Sequence, residues 1–222
     1  VGDVVRSVDA RGPGGDLRIE AGQVLTTIPI THFLDAIEPS VGAETKRSVD
    51  ALYYRDHITV NLVADRADLF PDQWIYVHSP DVRMARLANY NNFSADMAAR
   101  KGTSVLGVEY FVFRTDDLWG RSDDALVALA SDEVARMGLV PRGSVARGFV
   151  RRETEAYPTY FLGFEPHFRA VKAAMGRLGR VSPAGRGGLY KYNNMDHSLY
   201  SGLLAGRDLT DPERRRWDVW AI

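Results

Sequence analysis

The chain contains no cysteine, which excludes a disulfide, a thiolate nucleophile and any cysteine-based metal site and suits a reducing compartment. It also lacks net charge. Its 28 Lys and Arg face 29 Asp and Glu, a formal balance of -1, so no global field draws it to nucleic acid or anionic lipid, and any bound anion must be met by local groups. No window approaches the roughly 18 to 20 unbroken apolar residues that span a bilayer. The opening "VGDVVRSVDAR" has no signal-peptide layout, and a cytosolic protein is expected. The five histidines show no H-E-x-x-H or similar spacing, so no metal is expected. The absence of a G-x-S-x-G elbow, a P-loop and a basic recognition helix removes support for hydrolase, nucleotidase and DNA-binding functions.

What is present is a chain of 222 residues, 45% hydrophobic, long enough to bury a sizeable core. It begins with Val and runs directly into alternating residues, the pattern of a piece cut from a larger protein. "GDVVRSVDA", the turn "RGPGGD" and "LRIEAGQVLTTIPI" alternate at period two around a Gly/Pro turn and predict a β-hairpin. Thr31 is placed to cap a short helix, "HFLDAI", and "RSVDALYY" is a second helical candidate. "DHITVNLVA", "QWIYVHSP", "RMARLANYNNF" and "TSVLGVEYFVFR" read as strands of one antiparallel sheet. Ser122 then caps a helix, with Asp123 and Asp124 at its positive end; Leu126, Leu129, Ala130, Val134 and Met137 share one face before Gly138 stops it. "SVARGFVRRETEAYP" returns as a strand. Pro166 opens a helix carrying Phe168, Val171, Met175 and Leu178 at helical spacing. No repeat is visible, and only the tail "DPERRRWDVW" is compositionally biased.

The densest signal is "GRGGLYKYNNMDHSLYSGLLAG", Gly185 to Gly206. "GRVSPAGRGG" reads as a short buried strand ending in glycines, and Gly185, Gly187 and Gly188 remove side chains where another body could approach the backbone. A plain turn explains a glycine cluster equally simply. The Asn193–Asn194 pair precedes a helix from about Met195 to Gly206 carrying Leu199, Leu203 and Leu204. Its first turn, Met195 to Ser198, would present free N–H groups and a positive dipole end to an anionic or electron-rich ligand. Asp196 alone also serves as dipole compensation, and His197 alone as a packing or capping group.

"AGRGGLYKYNNMDHSLYSGLLAGRDL" resembles the C-terminal FAD-binding segment of flavoproteins in the amine oxidase, protoporphyrinogen oxidase and UDP-galactopyranose mutase superfamily. The resemblance implies FAD as cofactor, with Gly185, Arg186 and Gly187 beside its pyrophosphate and ribityl chain. Asn194, Met195, Asp196 and His197 would then lie at the helix start facing flavin N1 and the C2 carbonyl, where an N-terminus stabilises a reduced flavin's negative charge. "VLTTIPITHF" is similar to the family's turn out of the FAD domain. "WIYVHSPDVRMARLANYNNFSADM" and "GVEYFVFRTDDLWGRSDDALVALASDEVARMGLV" are similar to its substrate-domain sheet and following helix, and "AYPTYFLGFEPHFRAVKAAM" to the return segment. The implied fold class is α+β: an antiparallel substrate-domain sheet with flanking helices, plus the strand-turn-helix of an FAD-binding domain. The implied organisation is residues 1–30 as hairpin and strand of the FAD-binding domain, 31–162 as substrate domain, and 163–222 as C-terminal FAD segment and tail.

One family element is missing. No G-x-G-x-x-G fingerprint with an acidic residue about 20 positions on occurs, since "GPGGD" lies inside the hairpin turn. The Rossmann half is therefore expected on another chain, outside this piece, or lost.

For the substrate, the mutase-like branch places Arg86 at the diphosphate-binding position, where a bidentate fork suits phosphate. Alternation would set Arg86, Ala88 and Tyr90 on one face and Leu87, Asn89 and Asn91 on the other. Tyr90, Tyr110, Tyr190, Lys191 and Tyr192 are candidates to line the cleft, although ordinary half-buried packing explains each tyrosine singly. His78, polar within an apolar strand, is a candidate general base or donor, with a structural histidine as the plainer explanation. The expected function is FAD-dependent oxidation, with hydride passing from an organic substrate such as a sugar or nucleotide-sugar to flavin N5. The alternatives are a redox-neutral sugar mutase and a non-catalytic subunit or fragment that needs a separate Rossmann half.

Overall fold

The computed structural model describes residues 4–98, 100–210 and 219–222; the tail residues 211–218 lie outside them. The first elements form as the alternation predicts. β1 (Ser7–Gly12) and β2 (Gly15–Glu20) pair antiparallel with Gly12 opposite Gly15, and Gly15 takes φ 103°, a conformation that glycine reaches without a Cβ penalty. β3 (Val24–Thr26) follows. α1 (Ile30–Asp35) begins at Pro29 rather than at Thr31, which is buried inside its first turn. Pro29, at φ -47°, has no N–H to leave unsatisfied, so the helix can enter without a side-chain cap. α2 (Ala43–Ala51) starts at Gly42 and ends before Tyr53 and Tyr54, which were expected to be helical. Tyr54 instead opens β4 (Tyr54–Ala64), as suits a segment rich in aromatic and β-branched residues.

Residues 55–156 make one compact unit. β4, β5 (Trp74–Tyr76), β6 (Arg86–Asn89), β7 (Ser104–Val112) and β8 (Val145–Pro158) form a sheet in the order β5-β6-β7-β4-β8. Successive side chains alternate between the two faces. Ile58, Val60, Leu62 and Ala64 of β4 and Leu106, Val108, Tyr110 and Val112 of β7 join one core cluster with Leu126, Ala130 and Val134. Those last three lie on α3 (Asp123–Arg136), which Ser122 caps by accepting the Ala125 N–H. Of the apolar stripe expected there, Leu129 is partly buried and Met137 is an exposed C-cap.

A carboxylate enters this core. Glu133 of α3, fully buried, accepts hydrogen bonds from the backbone N–H groups of Arg83 and Met84 at 2.6 and 3.2 Å and from the Tyr110 hydroxyl at 2.9 Å. It supplies the acceptors that the turn into β6 would otherwise lack.

The second unit comprises residues 1–54 and 157–222. Its later elements are α4 (Phe164–Arg177), β9 (Val181–Pro183), α5 (Gly185–Leu189) and α6 (Met195–Thr210). β3 and β9 pair in parallel, Val24 opposite Val181. Ile30, Leu34, Val49, Tyr54, Val171, Met175 and Tyr190 share its main core. The units divide after residues 54 and 156, not after 30 and 162, because α1 and α2 pack on α4. The architecture is α+β, and no helix among the described residues is long and apolar enough to cross a membrane.

Candidate functional site

Two regions, one in each unit, carry the residues singled out by sequence. In the unit containing both termini, the glycine cluster is helical rather than a strand end. α5 covers Gly185–Leu189 and closes on Tyr190 in the left-handed conformation, φ 46°. Only Gly185, at φ 72°, needs glycine for its backbone angles. Gly187 and Gly188 are needed for contact. A Cβ on Gly187 would lie 3.1 Å from the Thr27 carbonyl oxygen and 3.3 Å from Pro29 N, and one on Gly188 would lie 2.8 Å from the Thr26 carbonyl oxygen. Their bareness lets α5 settle on the β3 segment. The space at those two positions is therefore filled by this chain's own backbone and is not the cofactor approach that the sequence suggested. A Gly187→Val variant would report on packing, not on flavin.

The segment from α5 to α6 is tied by polar bonds. The Gly185 N–H donates to Ser201 Oγ at 2.8 Å, Ser201 Oγ to the Ser198 carbonyl at 2.7 Å, and Ser198 Oγ to Asn193 Oδ1 at 3.1 Å. The Arg186 fork donates to the Asn193 carbonyl at 2.6 Å, and its guanidinium lies 4.4 Å from the Tyr157 ring and 5.6 Å from the Tyr192 ring. Those rings stack 5.2 Å apart. Arg186 thus serves as the hub that fixes the approach to α6, with cation–π contacts on two aromatic faces.

Asn194 is the first residue whose carbonyl accepts a bond within α6, from Ser198 N–H at 3.1 Å. Asn194, Met195, Asp196 and His197 are all exposed. The helix start is therefore open, as a ligand-facing N-terminus requires. Asp196 answers part of the dipole itself. The backbone N–H of His197, then the imidazole bonded at 2.9 Å, outweigh desolvation and hold its carboxyl below the usual aspartate range. Asn193, which the sequence marked only as one of a capping pair, has a further part. It is buried, its Oδ1 is taken by Ser198, and its Nδ2 is left without a partner. A buried donor left over beside an open helix start fits a ligand acceptor.

Tyr190 does not line a cleft. It is almost wholly buried, with its hydroxyl 2.9 Å from the carbonyl oxygens of both Tyr53 and Thr159 and its ring edge-on to Tyr54 at 5.1 Å. Burial, the largest effect, pushes its hydroxyl up to about 12. Lys191 is half-buried, and Tyr192 is exposed.

The other region is the sheet face opposite α3. Cross-strand register lines up Tyr76 on β5, Arg86 on β6, Glu109 on β7 and Thr59 on β4. Arg86 Nε donates to Glu109 Oε2 at 2.8 Å, its terminal nitrogen reaches the same oxygen, and His57 Nε2 lies 3.0 Å from it. The Arg86 guanidinium also sits 5.5, 5.8 and 5.6 Å from the rings of Trp74, Tyr76 and Phe111. Burial drives the Glu109 carboxyl up, but the bonds from His57 and Arg86 and the Arg86 charge prevail and leave it below the usual glutamate range. Arg86 is thus engaged by a carboxylate, which a substrate diphosphate would have to displace or share.

Tyr90 lies beyond the end of β6, in a 3-10 turn, so the expected alternation stops at Asn89. Its hydroxyl takes the space above Gly107, where a Cβ would come within 2.5 Å. Burial first, then the Glu109 charge, raises its hydroxyl's pKa. Tyr110 faces the core and spends its hydroxyl on Glu133, so it packs the core and does not line this face. His78 is not within a strand. It follows β5, is exposed, and stacks on Tyr76 at 6.4 Å. Glu109, His57, Trp74 and Tyr76 went unread in the sequence, although Glu109, Phe111 and Phe113 in "GVEYFVFR" recur at the polar side of the alternation.

No protein-family model matches the sequence, and no curated protein matches it. Solved structures do. The chain is similar to reduced UDP-galactopyranose mutase, with TM-score 0.78 at 16% identity over 97% of this chain and 46% of that one. It is also similar to a proposed protoporphyrinogen oxidase from Exiguobacterium sp. 255-15, with TM-score 0.61 at 15% identity over 82% of this chain and 39% of the other. It therefore spans less than half of either relative. The chain shares the fold of these two proteins over the spans matched.

Proposed function

We propose that the chain is the substrate-binding and flavin-contacting part of an FAD-dependent oxidoreductase, cytoplasmic and completed by a dinucleotide-binding half that lies outside these 222 residues, on the same or another polypeptide. The observation that carries this reading is the open α6 start beside the unpartnered Asn193 amide. FAD, when bound, supplies hydride-accepting chemistry at N5. The chain's own groups do the rest. Asn193 Nδ2 and the first amides of α6 would meet the electron-rich pyrimidine edge of the ring, Arg186 would hold that segment in place, and the sheet face of Arg86 and Glu109 would position an organic substrate. His78 remains a candidate proton donor or acceptor. The greater similarity to the mutase favours a second reading, redox-neutral rearrangement of a nucleotide-sugar.

The test is reconstitution. The chain is combined with FAD and a G-x-G-x-x-G half, on the same or a second polypeptide, and absorbance and turnover are followed. A yellow complex that consumes an oxidant with substrate supports oxidation. A yellow complex active only after reduction of the flavin, with UDP protecting Arg86 from modification, supports the mutase. A yellow complex that turns over nothing supports the non-catalytic subunit, and a colourless mixture refutes all three.

A further inference from the structure

Glu109 has one oxygen unused. Its bonds from Arg86 and His57 all end on Oε2, and among the described residues none reaches Oε1. The residue is 7% exposed, yet Oε1 is not sealed. Among the described residues, the buried side-chain polar atoms left without a partner are Asn89 Oδ1, Ser104 Oγ, Thr159 Oγ1 and Asn193 Nδ2, so Oε1 meets the surface.

An ionised carboxylate only accepts hydrogen bonds. Arg86 cancels the charge of this one, so neither an anion nor a cation gains much from the pair, whereas an uncharged donor gains a charge-assisted bond without disturbing it. Two strands away on β5, Trp74 and Tyr76 are half exposed, their rings 5.2 Å apart on the same face. They provide an apolar surface beside the acceptor.

We propose that Glu109 Oε1 accepts the hydroxyl proton of an uncharged alcohol whose apolar body lies on Trp74 and Tyr76. This rests on the reading of the sheet face as the substrate face, and it moves recognition from Arg86 to the carboxylate. Arg86 and His57 become the positioning residues that hold Oε2 and turn Oε1 outward.

The full chain can be titrated with two probes that differ in one proton, benzyl alcohol and benzyl methyl ether, and the Trp74 indole shift followed by NMR. The alcohol is expected to bind about tenfold more tightly, the size of one hydrogen bond to a charged group. In Glu109→Gln the amide oxygen should take over the bonds from Arg86 and His57 and turn Nε2, a donor, outward. The ether, an acceptor only, should then bind at least as well as the alcohol. Trp74→Ala should weaken both probes alike. Equal binding of the two probes to the unaltered chain, no saturable shift with either, or an unchanged preference in folded Glu109→Gln overturns the proposal. No flavin enters this readout, so its failure would leave the α6 reading standing, and a failed reconstitution would leave Glu109 untouched.

Discussion

Arg86→Leu is expected to lower stability by about 3 kcal/mol at pH 7, the cost of stranding one member of a buried ion pair, and the loss should shrink as the solution is acidified. In the unaltered chain the folded pKa of Glu109 lies below its unfolded value, set by burial acting upward and by His57 and Arg86 acting downward more strongly. Such a group contributes its full stability above the unfolded pKa and loses it as pH falls through the folded one. Removing Arg86 deletes the largest positive charge at Oε2 while burial remains, so the downward shift weakens. The carboxylate then contributes less stability above the unfolded pKa, near 4.3 for glutamate, and the two proteins converge in this respect once both states are protonated. Urea denaturation at pH 7 and pH 4 should show the difference between the proteins narrowing. A difference of the same size at both values would mean that Arg86 contributes packing on Trp74, Tyr76 and Phe111 rather than charge.

Glu133→Ala should have a comparable or larger effect, about 3–5 kcal/mol, because it opens a cavity and strands three donors at once: the N–H groups of Arg83 and Met84 and the Tyr110 hydroxyl. For a protein of this size that corresponds to a fall in Tm on the order of 10 °C. Glu133→Gln keeps one acceptor oxygen and the volume, and should recover part of the loss. If the alanine and glutamine variants melt together, the hydrogen bonds to this side chain are not what secures the turn into β6.

The elements were legible where periodicity and local chemistry agreed. Ser122 and its two aspartates mark α3, and the alternation in "DHITVNLVA" separates Ile58, Val60 and Leu62 from His57, Thr59 and Asn61. The helix over Gly185–Leu189 was not legible, because three glycines in five residues oppose helix by propensity; tertiary contact with the backbone of Thr26, Thr27 and Pro29 decides it. The same holds for α2, which stops early because Tyr54 joins a core with Tyr190 and Val171.

The candidate site divided in the same way. The open helix start after Asn194 follows from a local pattern of capping residues and a following apolar helix. The Arg86–Glu109–His57 cluster depends on register across three strands, which no single segment of sequence encodes. Tyr110 and Tyr190 look alike in sequence to residues that line a cleft. Their partners, Glu133 and the carbonyls of Tyr53 and Thr159, lie 23, 137 and 31 positions away, and only folding reveals that both hydroxyls are committed.

Hydrogen exchange tests the central claim most directly. In the protein reconstituted with its dinucleotide-binding half, amide exchange at residues 195–198 is compared with and without FAD. Slowed exchange of these amides on flavin uptake is the predicted result. Flavin held in the complex while the same four amides exchange as fast as before would place the isoalloxazine ring elsewhere and contradict the account.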